Sequence, residues 1–483
     1  MIVVLFVVTI LLLYFLWEDS FKRSLRLPMD LLSQGNDAPV TELSEIMDPA
    51  RLVVNFGGET HTILTGKQLG QWDALVAEFG KFSEAGTVTL KEITKAQYDE
   101  ALKVRSVRAE FSYWLPFTDT LAYFDIAAGA DYSKVEAFSA IAYSTAIPES
   151  ILVYDGKNKK YYRLTAETDR TAIGVIIDEI EAGRFGAYFP MGSFLGISNP
   201  TLMPIALQTN MRALPFDIEI KYYEEEKIVD YAKTFFGEGF DFVRKITEND
   251  GTVIYMYGYG QKNLIIDPNG TIEYREELND TGAAQVKFYE AMDTALLFID
   301  THGGWSSLND SELTPYLKKV NEIKIDDVKG YEFIFGMMID GNPLFYTDNA
   351  EILSVGVVGG KVVRFKREMT DIEANILTEV SERAVRDTLD PINILTENYK
   401  FIKSVLNENG ITVAGETDTE LFENTASLID RIETGYVRIE NGQSTRQKEI
   451  YPAWAFTVGK IRIYFNIYTG EILGTSGGAQ GGS

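Results

Sequence analysis

The chain has 483 residues, a net charge of −26 and no cysteine, and 45% of it is hydrophobic. This length is too great for one ordinary core, and the apolar fraction is enough to build several. Acidity spread along the whole chain argues against nucleic acid and anionic lipid headgroups as partners of the body. The missing thiols exclude disulfides, cysteine nucleophiles, iron–sulfur clusters and thiolate zinc sites.

The first predicted element is "IVVLFVVTILLLYFLW", residues 2–17, with no charge and no helix breaker. Sixteen residues rise about 24 Å as a helix, enough to span a bilayer with help from Met1 and interfacial Trp17. The bulky, charged "EDSFKRSLRLP" that follows lacks the small-residue site of a cleaved signal, so residues 1–20 read as an uncleaved anchor. Lys22, Arg23 and Arg26 follow the span, and on charge alone the body would stay in the cytoplasm. Long domains translocate largely regardless of that bias, and the expectation here is an extracytoplasmic body.

Residues 21–48 read as a juxtamembrane stalk ending in the polar run "SQGNDAPVTELSE". An α/β domain is expected over 49–215. In it, "TGKQLGQWDALVAEFGKF" is helical, with Leu69, Trp72, Leu75, Val76 and Phe79 on one face. "VRAEFSYW" alternates as a strand, and "ESILVYDGKNKKYYRLTA" is a hairpin around Asp155-Gly156. "DRTAIGVIIDEIEAG" is a helix closed by Gly183. "FPMGSFLGISNPTLMPIAL", apolar and punctuated by Gly and Pro, is expected as a packed loop.

Beyond residue 216 one theme occurs three times: a helix, then an antiparallel meander with a tight hairpin. The helices are centred on "KIVDYAKTFF", "AAQVKFYEAMDTALLFID" and "DPINILTENYKFIKSVLNENG". In the last, Asp390 caps, Pro391 occupies the first turn and Gly410 ends the helix. The hairpins "IIDPNGTIEY", "GVVGGKVVRF" and "FNIYTGEIL" each carry a glycine where the turn needs positive φ. The pattern predicts an α+β protein: an N-terminal transmembrane helix, then several small domains of antiparallel sheet packed with helices. The central α+β domain is expected over 216–370, a C-terminal one over 371–476, and a flexible tail over 477–483.

Chemistry-bearing motifs are scarce. "FIDTHGGWSS" holds His302, one of two histidines. It reads as a helix stop: Gly303 and Gly304 make the left-handed turn, His302 sits at the negative end of the helix dipole, and Trp305 folds back on the apolar face. His61 stands alone in a strand-like stretch. "GSFLGIS" is not a nucleophile elbow, and Asp267 to Gly270 make a turn, not a calcium loop. The carboxylate run Glu224, Glu225 and Glu226 is what an acidic surface produces. No catalytic, cofactor-binding or metal-binding residue is therefore assigned. A glycoside hydrolase built on two unmarked carboxylates, or an anchored carbohydrate-binding module, is the alternative to a non-enzymatic chain.

"FIDTHGGW" after a long helix, "IDGNPLF" followed by "SVGVVGGKVVRFKR", and "YPAWAF" with "IYFNIYTGEIL" resemble the YycH/YycI (WalH/WalI) regulators of Gram-positive bacteria. The resemblance covers about 216–475 and is nearer to YycH. It implies a single-pass membrane protein with an extracytoplasmic body, no cofactor and no enzyme activity. The implied partners are a sensor histidine kinase controlling cell-wall metabolism and a paralogous anchored regulator, with kinase contact through the transmembrane helices.

Overall fold

The computed structural model describes residues 41, 43–84, 88–123, 130–166, 172–205, 207–221, 223–278, 285–305, 313–347, 351–368, 370–372, 385–439 and 449–477. The expected anchor, most of the stalk and the end of the tail lie outside these residues. Among the described residues no helix is long and apolar enough to cross a membrane.

The end of the expected stalk is already body. In α1 (Leu43–Ile46), Leu43 and Ile46 are buried in the main apolar core, as is Met47 just beyond. In chain order there follow β1 (Arg51–Asn55), β2 (His61–Leu64), α2 (Trp72–Glu84), β3 (Thr89–Ile93), α3 (Lys95–Ala101), β4 (Ser106–Pro116) and α4 (Phe117–Tyr123). Then come β5 (Ala137–Ser144), β6 (Ser150–Asp155), β7 (Lys160–Thr165), α5 (Ala172–Ala182), β8 (Tyr188–Pro190), α6 (Met191–Leu195) and β9 (Leu202–Pro204). These strands form one sheet in the order β3-β7-β6-β5-β4-β1-β2-β8-β9. Its pairings are antiparallel, so the α/β label for this stretch gives way to α+β.

Period-two alternation gives the sheet two faces. Leu52, Val54, Val107, Ala109, Ile151 and Val153 turn to the main core, where Leu75, Phe79 and Phe82 of α2 and Ile173, Ile177 and Ile180 of α5 cover them. Arg51, Val53, Arg108 and Glu110 stand on the opposite face, whose far end is covered by Tyr98 of α3 on Ala142 and Leu152. The segment expected as a packed loop is instead β8, α6 and β9. Met191 and Met203, both fully buried, anchor it in the second core, and strands of three residues are too short to show a period.

The second sheet holds β11 (Leu214–Ile218), β12 (Arg244–Thr247), β13 (Val253–Tyr257), β14 (Lys262–Ile266) and β15 (Thr271–Glu276), β10 (Gln208–Thr209) having paired elsewhere. To it belong also β16 (Leu313–Ile325), β17 (Val328–Ile339), β18 (Asn342–Tyr346), β19 (Leu353–Val358), β20 (Lys361–Glu368) and β21 (Thr370–Ile372). After β22 (Arg386–Asp387), the partner of β10, it closes with β23 (Arg431–Arg438), β24 (Glu449–Val458), β25 (Ile461–Asn466) and β26 (Ile472–Ser476). Helices α7 (Glu225–Phe236), α8 (Phe288–Thr301) and α9 (Pro391–Glu408) each precede a meander, as the threefold theme predicts, and α10 (Asp418–Ser427) is an addition to it. The parallel pair β18–β23 joins the central and C-terminal meanders. Gly270, Gly360 and Gly470 have φ of 90°, 75° and 72°, as the hairpin turns require.

The main core draws on the first sheet and on α7, α8, β13 to β17, β19 and β20 together. α8 buries Phe288, Ala291, Met292, Ala295, Leu296 and Ile299 along one stripe. The second core lies between α9 and the C-terminal strands, around Trp454, Phe456 and Phe465.

Candidate functional site

The HGGW stretch is a helix stop, and also a structural node. His302 N–H donates to Phe298 O (3.1 Å) and Gly304 N–H to Ile299 O (2.9 Å), with φ of 96° at Gly303 and 60° at Gly304. These bonds satisfy the last carbonyls of α8. The imidazole stacks on Phe298 at 3.8 Å and lies 4.4 Å from the ring of Phe235. Its Nδ1 is 2.7 Å from Phe298 O, a carbonyl that can only accept, which fixes Nδ1–H as the donor. Burial lowers its pKa to about 4, against the opposing pull of the Phe298 and Thr234 carbonyls. His302 does sit at the dipole's negative end, but burial keeps the ring neutral and packed near neutral pH, so the favourable interaction of its protonated form is not in play there.

Beside it lies Arg367, 1% exposed. Its Nη2 donates to Glu219 Oε2 (2.9 Å) and Gly303 O (3.1 Å), and its Nη1 to the Tyr231 hydroxyl (3.4 Å). Tyr231 in turn donates to His302 O at 2.8 Å. Gly303 is needed for space as well as for φ. A Cβ there would lie 2.7 Å from Tyr231 Cε2 and 3.0 Å from Arg367 Nη1.

The same helix end holds Thr41, where the chain enters the body. Thr41 N–H donates to Asp300 Oδ2 (3.0 Å), its hydroxyl to Asp300 Oδ1 (3.1 Å), and Trp305 Nε1 donates to Thr41 Oγ1 (2.7 Å). Trp305 also meets the Phe335 ring edge-on at 5.1 Å. Sequence reading found His302, both glycines and Trp305. It missed Arg367, Tyr231, Glu219, Thr41 and Asp300, which tertiary contact alone brings to this point. The one available signal was an arginine on the alternation of β20 that should face the core.

A second polar locus lies where the opposite face of the first sheet, that of Arg51, Arg108 and Glu110, meets the C-terminal strands. The sheets are held there by Thr201 Oγ1 on Ile429 O (2.7 Å) and Asn199 Nδ2 on Ala426 O (2.8 Å). Arg51 and Glu110 stand opposite each other on β1 and β4, with Nε 2.6 Å from Oε2, and Arg108 also pairs with Glu110. On the other side Arg431, Thr457 and Arg462 form one row across β23, β24 and β25. Glu433 stands in the next row with Ala455 and Tyr464, 2.7 Å from Arg431 Nη2. The two sides are within electrostatic reach. Burial alone would raise Glu110, but Arg51, Arg108 and Arg431 outweigh it and hold the carboxyl at about 2. Tyr188 and Tyr316 lie in the same crevice, each pushed up to about 12 by burial.

Other candidates are local structure. His61 Nδ1 lies 2.9 Å from Glu59 O, and burial lowers its pKa. Glu224 pairs with Lys227 and Glu225 with Lys245, on the surface. Asp267 accepts from Gly270 N–H (3.0 Å) in a hairpin turn. A half-open pocket of about 210 Å³ is lined by Tyr143, Ser144, Thr145, Pro148, Ser150, Ile173 and Gly174. It holds no histidine or carboxylate, and the Ser144 and Ser150 hydroxyls are engaged by Ala101 O and by Thr165 and Arg163. Among the described residues no group of three or more His, Asp or Glu is placed to hold a metal ion. An acid able to protonate a glycosidic oxygen needs a raised pKa. Glu110, the most enclosed carboxylate of the crevice, is shifted the other way.

No protein-family model matches the chain, and no curated protein matches it. Among solved structures it is similar to YycH from Bacillus subtilis at a TM-score of 0.53 and 13% identity, over 88% of this chain and 97% of that one. It is also matched, at a TM-score of 0.23 and 14% identity over 55% of this chain, with the whole of the Bacillus megaterium YpeB C-terminal domain. The chain has a YycH-like fold.

Proposed function

We propose that this chain is a non-enzymatic, membrane-anchored regulator whose extracytoplasmic body biases a sensor histidine kinase of cell-wall metabolism. The observation that carries this reading is the YycH-like fold, which extends over 88% of the chain and so reaches well beyond the motifs quoted above. The character of the HGGW stretch supports it, because its side chains are spent on packing, capping and holding Thr41. A helix end that grips the first residues of the body can pass a tilt or pull of the preceding segment into the main core without any bound substrate. Residues 2–17 would supply the anchor and pack against a kinase helix through Val4, Val7, Val8 and Leu11. A paralogous anchored regulator would be the second partner.

Two experiments test this. A reporter enzyme active only outside the cytoplasm, fused after residue 480, should be active; activity of a strictly cytosolic reporter instead would remove the topology and the reading with it. Replacing residues 2–17 with an unrelated spanning helix should preserve export and folding but abolish regulation. Full regulation by the swapped chain would move the contact to the body.

A further inference from the structure

We propose that the crevice between the two sheets is an oxyanion site, taking a phosphate or carboxylate group onto Arg431, Thr457 and Arg462 opposite Arg51 and Arg108. The first support is an imbalance of charge. Four guanidinium groups and Lys318 border this crevice, whereas the carboxylates facing them are Glu110, Glu433 and, beside Lys318, Glu351. This cationic pocket sits in a chain of net charge −26, so the general field cannot explain it. Arginine forks match planar or tetrahedral oxyanions, and low-dielectric walls focus the field of such a cluster.

The second support is a set of donors without acceptors. Arg108 Nε, Arg431 Nε and Thr457 Oγ1 are buried and have no hydrogen-bond partner among the described residues. A buried donor left unsatisfied is destabilising, because it has given up its bonds to water. A guanidinium Nε–H can only donate, and a threonine hydroxyl can donate, so all three are served by an acceptor. The β23–β24–β25 register puts Thr457 directly between Arg431 and Arg462 on one face. One oxyanion there would accept from the hydroxyl and from both flanking guanidinium groups, in charge-assisted bonds. The side chains of Arg431, Arg108 and Arg51 keep 27%, 32% and 17% of their surface, while the three orphaned donor atoms are themselves covered, so an anion reaches them by displacing the side chains around them. Because its walls come from different sheets, an anion here would also tie the first sheet to the C-terminal strands.

The test uses the full-length chain in detergent, melted in sodium phosphate, sodium acetate and sodium chloride at matched ionic strength, with calorimetric titration of phosphate and acetate. The expected result is a saturable stabilisation by phosphate or acetate beyond that of chloride, the stronger of the two identifying the group. Thr457→Val keeps the side-chain shape and removes the orphaned hydroxyl. It should melt no lower than the parent in chloride, yet bind the anion about tenfold more weakly, the worth of one charge-assisted bond. Arg431→Gln should remove the saturable part. General salting effects of phosphate act equally on every variant. Equal responses to the three salts, or a Thr457→Val variant that responds like the parent, would overturn the proposal. The valine variant decides the matter even if Arg431→Gln fails to fold.

Discussion

One methyl group placed at Gly303 tests whether the helix end is a packed node. Gly303→Ala meets two separate penalties. At φ 96° an L side chain is strained, by about 1–2 kcal/mol. The new Cβ would also lie 2.7 Å from Tyr231 Cε2 and 3.0 Å from Arg367 Nη1. Neither neighbour can step aside freely. Tyr231 is held by His302 O at 2.8 Å and packs on Phe235 at 5.4 Å, while Arg367 is held by Glu219 and the Gly303 carbonyl. Overpacking of this sort costs about 1–3 kcal/mol, so the two penalties together come to about 2–5 kcal/mol. Gly304→Ala is the control. It has φ 60° with nothing within 4 Å of the added Cβ, so only the strain of about 1–2 kcal/mol applies. Equilibrium urea unfolding, followed by tryptophan fluorescence, should place Gly303→Ala below Gly304→Ala by at least 1 kcal/mol, the lower limit for overpacking. If the two variants are equally stable, or Gly304→Ala is the worse, the Tyr231–Arg367 packing does not constrain this turn and the node is refuted.

Arg367→Met should destabilise by about 3 kcal/mol in the same assay, because it strands Glu219 and the Gly303 carbonyl. Arg367→Lys should recover little, since a point charge cannot reproduce the fork. His302 is neutral in the fold with its pKa lowered to about 4 against an ordinary 6.5, so the unfolded chain binds the extra proton first as pH falls. The difference in stability between the parent and His302→Asn should therefore be constant above pH 7 and move against the parent between about pH 6.5 and 4, by about 3–4 kcal/mol in all. A flat difference across that window would show an exposed imidazole. A double-mutant cycle of Trp305→Phe and Thr41→Val should give a coupling of about 1 kcal/mol for the indole bond. Strictly additive effects would mean that the HGGW end does not hold the entering chain.

Local chemistry sufficed wherever an element carries its own periodicity or punctuation. The Asp390 cap, with its carboxylate 2.7 Å from Ile392 N, follows from Asp-Pro at the start of an amphipathic run. The stop at Gly303-Gly304 and the three glycine hairpins follow from the positive φ those turns demand. Where the pattern is broken by long-range pairing, the sequence misled or stayed silent. β16, "LTPYLKKVNEIKI", is a 13-residue strand that the sequence reading missed. A register shift between Leu317 and Lys319 interrupts its alternation, and lysines occupy its wetter positions. The loop expected at 189–207 became β8, α6 and β9 because Met191 and Met203 found a distant core.

Sequence by itself determined the class of the protein: an acidic, thiol-free chain of antiparallel meanders behind helices, with a glycine-stopped helix that carries no catalytic motif. Those properties reside in propensities, turns and charge totals, which need only near neighbours. Tertiary structure alone decided that Arg367 lies buried against Gly303, 64 residues away in sequence, and that Thr41 is gripped by Asp300 and Trp305. It alone decided too that Arg51 and Glu110 look across at Arg431 and Thr457. A buried arginine and a solvated one have the same letter, and what separates them is the desolvation that only a packed neighbour imposes.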